Sequence, residues 1–233
     1  MKFSIFGRKN GRSSSQEPTM KAELRQATQM GNDRSFSCYR PSVPDQPSAL
    51  PVSPRERLLT VACDLFYREG IARVGVDRIL AEAGTTRSTL YRHFPGKEAL
   101  VAAYLEREDA MLDETFAGAE AVASSPEHLL ELAVQGMAED AFRHHTRGCP
   151  FINASAEYPD VASRVRRIVS EHRHRFRERL ERYLRAAGRP DPAERAGELV
   201  MLRDAVLVGS YLDDEMTVRR DFTRAARSAA SLG

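Results

Sequence analysis

Apolar residues recur at intervals of three and four along much of the chain: Val161, Val165, Ile168, His172, Phe176, Leu180 and Tyr183 form one line, and Val218, Phe222, Ala225 and Ala229 another. That spacing puts one apolar stripe on a 3.6-residue helix and predicts amphipathic helices. No stretch alternates strictly with β-branched or aromatic residues, so essentially no sheet is expected. Helix starts are marked by Ser53-Pro54-Arg55-Glu56, Ser125-Pro126 and Asp191-Pro192-Ala193-Glu194. In each, a cap oxygen can satisfy an orphan backbone N–H, while proline has no N–H to lose. Stops fall at Gly70, Gly84, Gly148 before Pro150, and Gly188 before Pro190. The pattern predicts an all-α fold of about nine helices, at 54–69, 76–83, 87–92, 97–122, 126–145, 150–157, 160–187, 192–212 and 217–230.

Residues 1–52 break the pattern. They are rich in Ser, Pro, Gln and Arg, show no helical or strand period, and read as a disordered basic extension. Met20 and Met30 are alternative starts, which leaves open how much of it is made. Residues 53–100 then read as a small helical unit and 101–233 as a larger helical domain. The net charge of +2 conceals an asymmetry. Residues 1–54 carry eight basic and four acidic side chains and residues 55–97 eight and five, leaving an excess of five acids beyond. A surface that approaches phosphates needs such local positive charge.

Composition narrows the function classes. With 42% apolar and 29% charged residues and no apolar run of spanning length, a cytoplasmic protein without membrane partners is expected. Cys38, Cys63 and Cys149 have no metal-ligand spacing and are too scattered for a disulfide framework. His172 and His174 diverge on their helix, as do His144 and His145, so no metal site is expected, and no cofactor. Nucleophile–base pairs, phosphate-binding glycine loops and paired carboxylates are not recognisable, which speaks against an enzyme.

The segment 76–94 reads as a short helix, a glycine turn and a second short helix capped by Thr86. Gly84 supplies a positive φ for the turn. Ile79, Leu80, Ala83, Leu90 and Phe94 can pin the second helix across the first, with Leu58, Ala62, Leu65 and Phe66 as a floor. That leaves Thr86, Arg87, Ser88, Thr89, Tyr91, Arg92 and His93 outward, hydroxyls and flexible donors suited to a major groove. Tyr91, Lys97 and the helix start at Gly96 are placed for phosphate oxygens. A tight helical hairpin inside a core is the competing reading of so short a window.

The string Ala-Gly-Thr-Thr-Arg-Ser-Thr-Leu-Tyr-Arg-His-Phe-Pro-Gly-Lys-Glu-Ala-Leu over 83–100 resembles the signature of TetR-type repressors, and the resemblance extends over 55–104. It implies an all-helical homodimer with a three-helix N-terminal DNA-binding domain, at 53–100, and a C-terminal effector-binding and dimerisation domain, at 101–233, that binds a small molecule and loosens DNA. The implied DNA-contacting set is Thr86, Arg87, Ser88, Thr89, Tyr91, His93 and Lys97. Leu80 stands where a generic helix-turn-helix often has alanine, and the long N-terminal extension is unusual for the family.

Beyond residue 107 the resemblance weakens. The run 147–153 with Glu157 resembles a short helix beside the ligand cavity in one branch of the family, which places Phe142, Cys149, Phe151, Asn153 and Glu157 near an effector pocket. Cys149 reads either as a thiol sensor near Arg147 or as a small buried hydrophobe. Residues 198–212 are apolar almost all round, so that helix must bury a second face, against a partner subunit or in a monomer's core. The Arg- and Glu-rich run from 172 to 185 reads as a solvated face with ion pairs at i and i+4. The expected partners are an inverted-repeat DNA operator, a small-molecule effector and a second copy of the chain. The alternative is a ligand-independent DNA-binding protein, which a filled core near Cys149 favours.

Overall fold

Serine hydroxyls cap three of the helices. Ser53 Oγ accepts the N–H of Glu56 at 3.2 Å, Ser125 Oγ that of His128 at 3.1 Å, and Ser163 Oγ that of Arg166 at 3.2 Å. The computed structural model describes residues 52–232, so the expected N-terminal extension lies outside the described residues, all but Val52. Every helix or strand among the described residues is helical: α1 Pro54–Glu69, α2 Val76–Glu82, α3 Arg87–His93, α4 Lys97–Val122, α5 Pro126–Glu139, α6 Pro150–Glu157, α7 Arg164–Ala186, α8 Pro192–Leu212 and α9 Glu215–Ala229. A π-helical turn, Asp140–His144, continues α5.

Three expectations about local structure change. The seventh helix starts at Arg164 rather than 160, because the Asp160 carboxylate accepts the Ala162 N–H at 2.9 Å and its carbonyl the Ser163 N–H at 3.1 Å. Those bonds close a turn that helix would forbid, and Val161 is left 73% exposed. Asp191 caps nothing: its φ of 51° is left-handed, as the tight connection after Gly188 requires, and its side chain accepts no bond from α8. The third change is the π turn. Its extra residue swings Asp140 and His145 together, with His145 Nδ1 2.7 Å from Asp140 Oδ1.

α1 is the floor on which α2 and α3 stand, through Leu58, Ala62, Leu65 and Phe66 below and Ile79, Leu80, Leu90 and Phe94 above, all buried. Leu80 is accommodated there. α4, 26 residues and roughly 39 Å long, runs through the expected boundary at 100/101, packing on α1 at one end and on α7 at the other. α8 lies between α7 and α9. The core of the C-terminal half is built on Leu130, Leu180, Leu184, Leu199 and Leu207.

The charges of α7 are used differently from the solvated face expected. Glu181–Arg185 and His174–Glu178 are pairs at i and i+4, but Arg173 reaches Asp204 on α8 at 2.7 Å and Arg179 reaches Asp113 on α4 at 2.6 Å. Arg175 likewise pairs with Asp109 of α4. These bonds tie α7 to both neighbours.

At the π turn, His145 also meets Glu108 at 3.3 Å, and Asp140 meets Arg203 at 3.4 Å. Burial disfavours the imidazolium, but the carboxylates of Asp140 and Glu108 reverse the effect and hold His145 up at about 10. Burial likewise opposes ionisation of Asp140, yet His145 and Arg203 hold it down at about 2. A raised histidine contributes in full below its unfolded value of 6.5 and loses its contribution as pH climbs to about 10. Asp140 contributes above 3.8 and loses its contribution as pH falls towards about 2. Urea unfolding midpoints should therefore fall from pH 7 to about 10, and the variant His145→Gln should remove that decline from its pH profile.

Candidate nucleic-acid interface

The turn between α2 and α3 is closed by backbone alone. Gly84 has φ 57°, the Thr85 N–H bonds Leu80 O at 3.1 Å, and no other atom lies within 4 Å of where a Cβ would stand at Gly84. Glycine is needed there for its conformation, not for space. The chain leaves the turn into Thr86, whose Oγ1 accepts the Thr89 N–H at 3.3 Å and caps α3. The same oxygen lies 2.9 Å from Ser88 Oγ and 3.1 Å from Thr89 Oγ1, so three hydroxyls gather at the helix start.

α3 has seven residues, of which Leu90 is fully buried, and Phe94 beside it closes the seat. The Arg55 guanidinium lies 5.1 Å above the Phe94 ring, which covers the seat from the α1 side. Opposite this anchor Arg87, Ser88, Tyr91 and Arg92 are exposed, and Thr86 stands out at the cap. Thr89 is half-buried. His93 is also half-buried, with Nε2 inside and without a partner, because it lies three residues from Leu90 on the inner flank.

Two of the cations have partners that no sequence signal announced. Arg87 bonds Asp77 of α2 at 2.5 Å, and since both side chains are well exposed water weakens the pair. Lys97 Nζ donates to Ala72 O at 3.4 Å. Burial pushes its ammonium down from the usual lysine range, against the opposing field of the Glu157 carboxylate. Gly96 gives α4 no side-chain cap, so the first N–H groups of a 26-residue helix open beside Lys97.

The five residues expected around an effector pocket meet different partners. Phe151 is buried and stacked on His172 with centroids 3.6 Å apart, while Cys149 is a buried free thiol. Phe142 lies under the Arg219 guanidinium at 4.4 Å. Asn153 is exposed and donates to Arg147 O at 3.1 Å. Glu157 turns away to the α1–α2 corner, accepting from Ile71 N–H at 2.8 Å. Two open depressions lie elsewhere, one between α7 and α8 at Arg173, Arg177 and Glu198, the other on α9 at Met216, Arg220 and Arg224. Among the described residues no group of three His, Cys, Asp or Glu side chains could hold a metal ion, and no helix is long and apolar enough to cross a membrane.

The description "Bacterial regulatory proteins, tetR family" matches residues 58–104, which include this whole element, and "Tetracyclin repressor-like, C-terminal domain" matches 127–226. The crystal structure of a TetR-family transcriptional regulator from Streptomyces coelicolor is similar with a TM-score of 0.73 at 36% identity, over 76% of this chain and 94% of that one. This chain belongs to the TetR family. Among sequence relatives, an uncharacterized HTH-type transcriptional regulator of Mycobacterium tuberculosis is 42% identical over 57 residues, 24% of this chain and 28% of that protein. The chain thus matches less than a third of the first such relatives' length. A second M. tuberculosis regulator is 28% identical over 180 residues, 73% of this chain and 87% of that protein. Escherichia coli NemR in its reduced form, at 18% identity and TM-score 0.67 over 76% and 97% of the two chains, shares the fold. TetR-family proteins are transcriptional regulators rather than enzymes.

Thr86→Ala removes the cap of α3 and should cost about 1 kcal/mol. Hydrogen exchange at the Thr89 amide should accelerate while α8 exchange stays the same.

Proposed function

We propose that this TetR-family protein is a homodimeric, cytoplasmic DNA-binding repressor that reads an inverted-repeat operator through α3. The observation that carries the reading is the stance of α3. Leu90 and Phe94 seat it from behind, and Arg87, Ser88, Tyr91 and Arg92 are exposed on the opposite side. Arg87 suits a guanine edge, and the Thr86, Ser88 and Thr89 hydroxyls suit bases or phosphates. Tyr91, Lys97 and the open start of α4 suit the backbone, and His93 contributes from the rim.

A second copy is supported by α8. Glu194, Glu198, Met201, Ala205, Val208 and Leu212 follow one another at four, three, four, three and four residues, and all are exposed. Such a line is a helix–helix seam. Met201 is 65% and Leu212 63% exposed, and Met216 at the start of α9 extends the patch at 82%. Burying it against its two-fold mate places two α3 helices on one duplex, with half-sites roughly 34–36 Å apart.

Release by a small-molecule effector is the family's usual response, with Phe142, Cys149, Phe151, Asn153 and Glu157 as the expected lining. The filled surroundings of Cys149 and Phe151 favour the alternative, a ligand-independent regulator with a sealed core, for the chain in this conformation. The same burial favours a packing role for the Cys149 thiol over a sensing one.

Duplexes selected from a random pool should contain an inverted repeat, and failure of the pure protein to retain any duplex at low ionic strength would sink the reading. Lys97→Ala should weaken binding nearly uniformly across sequences and lower the salt slope by about 1. Arg87→Ala should instead change the preferred sequence; equal loss on every duplex would make it a phosphate contact. Leu212→Arg should shift sedimentation from dimer towards monomer without lowering helicity.

A further inference from the structure

Glu157 ends α6, and both its carboxylate oxygens leave their own helix. Oε1 accepts the N–H of Ile71 at 2.8 Å and Oε2 that of Ala72 at 2.5 Å, in the corner between α1 and α2. These amides lie outside both helices and have no helical carbonyl to bond. Gly70 turns the corner through φ 90°, a conformation that favours glycine, and the Glu157 carboxylate lies beside it, with Oε1 3.5 Å from where a Cβ would stand. Lys97, whose amine bonds Ala72 O on the same corner, also lies in the field of Glu157. One acid from the C-terminal half is thus surrounded by two amides and influences one cation of the DNA-facing half.

The rest of α6 leaves Glu157 little freedom. Phe151 stacks on His172 of α7 with rings 8° from parallel. Ahead of the helix, the Arg147 N–H donates to the Tyr67 hydroxyl at 2.7 Å, and that hydroxyl donates to Gly148 O at 3.3 Å, which ties the segment to α1. A carboxylate accepting backbone N–H bonds from such a mount is a charge-assisted contact with fixed direction. It fills the role of an added carbonyl row for a corner that has none.

We propose that Glu157 is a positioning residue for DNA recognition: it clamps the α1–α2 corner to the C-terminal half, so fixing where α2 and α3 stand over a half-site. This rests on the DNA-binding reading above and assigns Glu157 to the junction between the two halves instead of to an effector pocket. α2 follows the corner directly, and α3 follows α2 through the rigid turn at Gly84. A corner that rocks therefore rocks the reading helix.

The test uses the full chain and the variant Glu157→Gln, which keeps the size but presents an amide group where acceptors are needed. Hydrogen exchange at Ile71 and Ala72 should rise at least about tenfold, with α7–α9 unchanged. The ratio of affinities for the best duplex from the selection and for a random-sequence duplex of equal length should fall by about tenfold or more. Glu157→Asp, one methylene shorter, should restore part of both and stands in should the glutamine variant not fold. Unchanged exchange at the two amides overturns the clamp. So does faster exchange spread evenly over the whole chain, or an unchanged affinity ratio, either of which makes Glu157 an ordinary stability residue. A wild-type protein that binds neither duplex overturns the DNA-binding reading itself, whereas a discriminating wild type matched by its glutamine variant overturns only the clamp.

Discussion

A seven-residue helix cannot hold itself in water, because nucleation costs more than one or two turns of hydrogen bonds return. α3 exists only as far as Leu90 and Phe94 are buried on α1 and Thr86 caps its start. Burying a Leu or Phe side chain contributes about 1.5–3 kcal/mol, which exceeds the cap's contribution of about 1. The exposed side of the helix contributes little to this balance, which leaves Arg87, Ser88, Tyr91 and Arg92 available for the recognition proposed above. The division between an apolar anchor and a polar reading face is what makes a helix-turn-helix possible on so short an element.

The seat is only as steady as α1, which packs on α4 through apolar side chains such as Phe66 against Tyr104 and is tied to the C-terminal half by polar contacts as well. Glu56 bonds Arg107 of α4 at 2.6 Å, Tyr67 bonds the segment before α6, and Glu157 holds the corner after Gly70. Polar contacts of this kind fix direction and can be exchanged, whereas apolar burial is non-directional. A junction of directed bonds suits a regulator that must place its reading helix in register with a duplex. Beneath it, the cluster of Glu108, Asp140, His145 and Arg203 matches two acids with two bases in the core, at the π turn that follows α5.

α8 shows how a helix can be committed on both sides. Its inner line, from Ala196 through Leu199, Arg203 and Val206, fills the core, and its outer line ends in Val208 and Leu212, with Met216 beyond. An apolar seam left in water is a standing incentive to associate.

What the order of residues determined by itself was everything governed by nearest neighbours along the chain. The helix-turn-helix and the all-helical class follow from apolar periodicity, from hydroxyl caps and from glycines at 70, 84, 148 and 188, all four at positive φ. Local expectations failed where a short-range bond competed, as at Asp160, or where a tight connection dictated the backbone, as at Asp191. Tertiary structure decided what depends on distant partners: that Glu157 reaches back 86 residues to Ile71, that Asp77 holds Arg87, that His93 turns inward, and that the arginines of α7 span to α4 and α8. A carboxylate or guanidinium carries no mark in sequence of which distant group it will meet. Only the packing of helices, set by their apolar faces, brings those groups within bonding reach.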